Sequence, residues 1–122
     1  NLLIREMINN EEDISRVITT LVTDMSGLFA NDSAFNLDIS NWDVSNVTNM
    51  ASMFEGASAF NQDISCWDVN NVEDMSGMFD GSTSFNQDLS NWNVKSVTLC
   101  NDFATNAEAW ALQKPNFDNC DP

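Results

Sequence analysis

Histidine is absent from this chain, and only Arg5, Arg16, Lys95 and Lys114 carry positive charge. The first absence removes the commonest general base and the commonest zinc ligand. Three cysteines without C-x-x-C spacing argue against zinc as well. The second leaves 19 acidic residues against four basic ones, a net charge of −15. Such a surface has nothing to neutralise phosphates with, which excludes nucleic acid and disfavours an anionic membrane surface. No apolar run approaches the roughly 20 residues that span a bilayer, so no membrane insertion is expected. The chain starts at Asn1 with no basic-then-apolar leader, the expected look of a mature product or an excised fragment. Its 122 residues suffice for one domain with its own core.

What is present is a repeat. Trp42, Trp67 and Trp92 lie 25 residues apart, as do Phe35, Phe60 and Phe85, with Trp110 at the next step. Val47, Val72 and Val97 keep the same interval, and Met25, Met50 and Met75 are continued by Cys100. Ile39–Asp63 and Ile64–Asp88 share 15 of 25 residues, which marks a repeat architecture.

Within one repeat the apolar spacing changes character. Ile39, Trp42, Val44 and Val47 fit the strand frame of a leucine-rich repeat. Met50, Met53 and Phe54 then fall at i, i+3, i+4, the period of a helix face. Asn46 or Thr48 suits its N-cap, and Glu73 and Asp74 suit the dipole of its first turn in the next copy. Gly56 or Gly81 suits a left-handed end. The expected fold is therefore α/β, a right-handed leucine-rich-repeat-like solenoid of about four 25-residue strand-turn-helix units. Residues 1–13 are expected to form a capping helix with a stripe of Leu2, Leu3, Met7 and Ile8. The repeats run over 14–38, 39–63, 64–88 and 89–113, with Ile14 and Val17 opening the first, and 114–122 forms an irregular C-terminal cap. Stacking predicts ladders of Asn36, Asn61 and Asn86 and of Asp38, Asp63 and Asp88, the asparagines pairing turn backbone from rung to rung.

The blocks F-N-Q-D-I-S, W-D-V-S-N-V-T-N-M and M-F-E-G-A-S resemble the repeat of the BspA-like bacterial surface proteins, which also occurs in mycoplasma lipoproteins. The resemblance covers residues 14–113. It implies secretion or attachment at the bacterial cell surface, adhesion to host proteins or other cells, and no enzymatic activity. It carries over no functional residues. The chain departs from the pattern at Val17, at Asn93 in place of Asp, and in its shortened fourth repeat.

Candidate binding residues follow from the expected strands, whose outward side chains would line a concave face. They are Asn41, Asp43 and Ser45, then Asp68 and Asn70, then Asn91, Asn93 and Lys95, around Cys66. The competing readings are a solvated face, a polar strip recognising a host or neighbouring-cell protein or glycan, and, as the weakest, a calcium site. Rungs about 4.8 Å apart would bring Asp43 and Asp68 together as like charges. Without a D-x-D-x-D-G loop no metal or cofactor is assigned. The tryptophans fill buried strand positions and are expected in the core, each indole N–H finding a partner there. Cys100 and Cys120 are expected to form a disulfide around the C-terminal cap, in keeping with an oxidising extracellular location. Cys66 is expected to be exposed and unpaired, with an intermolecular disulfide as a route to a dimer. Because the carboxylates recur with the repeat, no catalytic pair stands out, and a non-enzymatic binding module is expected. The alternative is an architectural spacer with no ligand of its own.

Overall fold

The computed structural model describes residues 2–9 and 21–122, with side chains in the first segment from Ile4 to Met7. The first segment is helix α1, Leu2–Asn9. Ile4 is buried and Met7 half-buried against the core, one turn apart on the same face. The Arg5 guanidinium donates to the Gly27 carbonyl at 2.9 Å, tying the helix to the chain that follows. Of the expected stripe only Met7 can be placed. Leu2, Leu3 and Ile8 lie outside the described side chains, and Ile14 and Val17 outside the described residues.

The reading as an α/β, leucine-rich-repeat-like solenoid of strand-turn-helix units is overturned. Among the described residues α1 is the only helix, and there is no strand, only isolated parallel bridges that join Asp24, Asn49, Asp74 and Leu99 in sequence. The segment expected as a strand is two consecutive turns. The Trp42 amide donates back to the Ile39 carbonyl at 3.1 Å, and the Val47 amide to the Val44 carbonyl at 2.9 Å. The segment expected as a helix is also a run of turns. Its amides at Met53, Glu55 and Ala57 donate three residues back, to Met50, Ser52 and Phe54.

The remaining amides explain why no helix forms. Met50, Ser52, Phe54 and Gly56 donate to the carbonyls of Asp74, Ser76, Met78 and Asp80, at 2.9, 2.9, 2.9 and 2.8 Å. Alternate peptide groups thus turn outward to the neighbouring rung instead of inward to the i−4 carbonyl of a helix. The same set joins Met25, Gly27, Phe29 and Asn31 to Asn49, Ala51, Met53 and Glu55. It recurs from Met75, Gly77, Phe79 and Gly81 to Leu99, Asn101, Phe103 and Thr105. Keeping these groups aimed at the next rung requires left-handed residues two turns apart. Ser52 has φ 56° and Gly56 φ 67°. At Gly56 an added Cβ would also lie 2.6 Å from the Asn31 Oδ1, so the Asn31 side chain would have to move aside. The sequence expectation of a left-handed Gly56 and Gly81 holds, although no helix ends there.

Stacked rungs bury identical side chains on one another. Phe29, Phe54 and Phe79 lie 5.5 and 5.3 Å apart between ring centroids, and Phe35, Phe60 and Phe85 lie 5.6 and 5.7 Å apart. The two columns touch within each rung, at 3.8, 4.1 and 4.3 Å. Trp110 closes the stack edge-on to Phe79 and Phe85. The tryptophan expectation holds. Trp42, Trp67 and Trp92 are buried, and the indoles of Trp67 and Trp92 donate to the Ile39 and Ile64 carbonyls at 3.1 and 3.2 Å. The asparagine ladder also forms. Asn36 Oδ1 accepts from the Asn61 amide and the Gln62 side chain, and Asn61 Oδ1 accepts from Asn86 and Gln87 in the same way.

The Cys100–Cys120 disulfide forms as expected, across a separation of 20 residues. With Phe117 packed edge-on to Phe103 at 5.0 Å, it pins the tail across the end of the core.

Candidate functional site

Short polar side chains at alternate positions set the outer surface. An Asp or Asn carboxyl or amide oxygen that accepts the N–H two residues on closes a small ring and bends the chain. Three rows of this kind run across the rungs. In the first, Asp38, Asp63 and Asp88 accept from the amides of Ser40, Ser65 and Ser90, each at 2.9 Å. In the second, Asp43, Asp68 and Asn93 accept from Ser45, Asn70 and Lys95, at 3.0, 3.0 and 3.1 Å. In the third, Asp24, Asn49 and Asp74 accept from Ser26, Ala51 and Ser76, again each at 2.9 Å.

The second row contains three of the predicted binding residues as anchors and three more as their partners. Asn41 and Asn91 stand at the corners of the turns just before it, in register with Cys66. All eight predicted residues are exposed except Ser45, which is half-buried. They therefore form one face, but a face of turns; no strand lines it, and the strand-based concave geometry falls with the strands. Asn91 Nδ2 also reaches the Ser65 carbonyl at 3.3 Å, and the Lys95 carbonyl accepts from Asn119 Nδ2 at 2.8 Å.

The first row was read from the sequence as a ladder and not as part of a site. It borders two shallow depressions. One, about 300 Å³, is lined by Asp38, Ser40, Gln62, Asp63, Ser65 and Cys66. The other, about 280 Å³, is lined by Ser65, Asp88, Ser90 and Asn91. The recurring D-x-S spacing is the signal that would have found it. A wider depression of about 470 Å³ opens beside the third row, between Thr48, Glu73 and Thr98, and holds none of the predicted residues.

Hydrogen bonds to the ionised form hold Asp38, Asp63 and Asp88 below the usual carboxylate range. At Asp63 and Asp88 the hydroxyls of Ser65 and Ser90 are the larger influence and their amides the smaller; at Asp38 the Ser40 amide comes first. A depressed folded value means stability that is present above the ordinary pKa of 3.8 and lost as pH falls through the lower, folded one. In a side-chain NMR titration these three carboxyls are expected to protonate below 3.8, and Ser65→Ala to move Asp63 back towards that value. An unshifted Asp63 in that variant would remove the hydroxyl as the cause.

Cys66 is exposed and free, as expected, and its thiol donates to the Ser40 carbonyl at 3.2 Å. Among the described residues no group of three or more acidic or cysteine side chains is placed to hold a metal ion. No described helix is long and apolar enough to cross a membrane.

Residues 3–117 match a family described as Mycoplasma protein of unknown function, DUF285. The chain belongs to that family. No curated protein and no solved structure matches it. The DUF285 match takes in all three Asx rows, the aromatic columns and the eight face residues, and leaves out Cys120.

Proposed function

We propose that this DUF285 chain is a non-enzymatic recognition module of the BspA-like kind, working outside the cell or at a bacterial surface and binding a protein or glycan through the turn face. The observation that carries this reading is the second Asx row. Its side chains are exposed, yet each is already fixed by a bond to its own backbone. Little rotamer freedom is left to lose on binding, which is how a pre-organised polar face gains affinity. The Asp68 carboxylate keeps a second oxygen for a partner. With a net charge of −15, the ligand groups that face it are cationic or neutral hydrogen-bond donors. The disulfide is in keeping with an oxidising compartment.

The test is a binding screen of the oxidised protein against extracellular-matrix proteins and glycans, with and without calcium. The Asp43→Lys/Asp68→Lys variant, checked for unchanged folding, is the control. A ligand lost in that variant supports recognition by the turn face. A ligand that survives it moves the site elsewhere, and a folded protein that captures nothing favours an architectural spacer.

A further inference from the structure

The two depressions beside the first Asx row are one shape repeated. Asp38, Ser40, Asp63, Ser65 and Cys66 wall the first, and their counterparts 25 positions on are Asp63, Ser65, Asp88, Ser90 and Asn91. All of these except Asp63 wall the second, and Ser65 belongs to both, so the two adjoin. Their rungs are tied by Asn36 Oδ1 to the Asn61 amide and by Asn61 Oδ1 to the Asn86 amide, at 2.9 and 2.8 Å. Parallel bridges join the same rungs, which sets the step between depressions at about 4.8 Å. Acceptors predominate on the walls. The Ser90 amide and hydroxyl both donate to Asp88 Oδ1, at 2.9 and 2.6 Å, and leave Oδ2 open. The Ser90 hydroxyl, spent as a donor, can still accept, and so can Asn91 Oδ1 while its Nδ2 holds the Ser65 carbonyl. In the first depression Asp63 takes the Ser65 amide on Oδ1, and the Cys66 thiol donates to the Ser40 carbonyl. Such walls suit a ligand that is rich in O–H donors and carries no negative charge.

We propose that this row of depressions binds a linear β-1,4-linked glycan without acidic groups, laid along the stack with one sugar to each rung. The inference rests on the reading of the turn face as a recognition surface, with which the row shares Asn91, and it names the ligand. The step decides between ligand classes. An extended polypeptide advances about 3.3 Å per residue and presents the same face about every 6.6 Å, so it falls out of step with the rungs at once. A pyranose joined through equatorial oxygens at C1 and C4 advances by close to one rung. Alternate sugars turn over in such a chain, so opposite edges meet successive depressions. Both edges carry hydroxyls, and acceptors that take any O–H serve either. The net charge of −15 disfavours uronic acids and sulfated sugars.

The experiment titrates the ¹⁵N-labelled oxidised chain with cello- and chito-oligosaccharides of increasing length. Maltohexaose, the same sugar on a different step, and hexagalacturonate, an acidic glycan, are the controls. The amide signals of Ser65, Ser90 and Asn91 are expected to move with at least one β-1,4 series. Its affinity is expected to rise at least about tenfold from disaccharide to tetrasaccharide, as linked units fill adjoining sites. The two controls are expected to leave the signals in place. Asp63→Asn/Asp88→Asn should keep the fold, since Asn49 and Asn93 hold the same turn with an amide oxygen. It is expected to weaken the hexasaccharide at least about fivefold, because bonds to a charged acceptor are the stronger ones. Signals unmoved by either series would overturn the proposal. So would an equal response to maltohexaose, an affinity that does not grow with length, or full affinity in the folded double variant. A protein ligand lost in Asp43→Lys/Asp68→Lys, with no response to either series, would sink the glycan and leave the turn-face reading standing.

Discussion

Phe79→Ala is expected to remove about 3–5 kcal/mol of stability, the range for deleting a fully buried phenylalanine. Phe79 is the joint of the aromatic core. Its ring lies 5.3 Å from Phe54, 4.3 Å from Phe85, 5.4 Å from Phe103 and 5.1 Å from Trp110. Its backbone holds its neighbours in place too, since the Phe79 amide donates to the Phe103 carbonyl and its carbonyl accepts from Ser82. Small relaxations cannot refill the space, because every ring that would move is stacked on another. A domain of this size has only about 5–15 kcal/mol to lose, so the variant gives up a large share of its stability. Chemical denaturation with the tryptophan signal measures it. Leu21→Ala, at a side chain 90% exposed, is the matched change and should move the midpoint little. Equal losses at Phe79 and Leu21 would mean that the aromatic columns do not hold the rungs together.

The second large effect is at the disulfide. Reducing Cys100–Cys120 is expected to lower stability by about 3 kcal/mol, the chain-entropy value for a loop of this length. Cys100 takes the place that Met25, Met50 and Met75 fill in the other rungs, and it is as buried as they are. The bond therefore ties the tail to the core itself and holds Phe117 over Phe103. The measurement is unfolding with and without dithiothreitol, repeated on Cys120→Ser. The variant should match the reduced protein and respond no further to reductant. A Cys120→Ser protein as stable as the oxidised one would show that the tail holds without its covalent tie.

Register was legible in the sequence, and backbone conformation was not. Tryptophan, phenylalanine and methionine at a 25-residue interval named the side chains that would stack, and Asn36, Asn61 and Asn86 named a ladder that forms. What misled was spacing. Met50, Met53 and Phe54 fall three and four apart as on a helix face, but consecutive turns with a three-residue repeat bury the same positions. The choice between them rests on bonds such as Met50 to Asp74, between residues 24 apart, and no local pattern reports those. Ser52 in a left-handed conformation gave no warning either, whereas its counterparts Gly27, Gly77 and Asp102 are residue types that tolerate it. For the candidate face, alternation with buried tryptophan and valine was enough to place Asn41, Asp43, Asp68 and Asn93 outward. That Asp43 and Asp68 stand on turns was written in D-x-S and D-x-N, a signal only three residues long, which the strand frame overrode.

Along Met25–Asn31, Met50–Gly56 and Met75–Gly81 the bonds to the neighbouring rung run from the earlier rung to the later one. Just before a row, at Thr48, Glu73 and Thr98, an amide donates backwards. The open edge of an ordinary β-sheet alternates donors with acceptors, so two like edges can zip together, and this is a common start of aggregation. Here each such row, as at Met75 to Gly81, turns donors alone towards the rung that follows. Two like rows set against each other would oppose N–H to N–H. Along these rows the rungs can therefore add only head to tail, each offering its carbonyls to the one before.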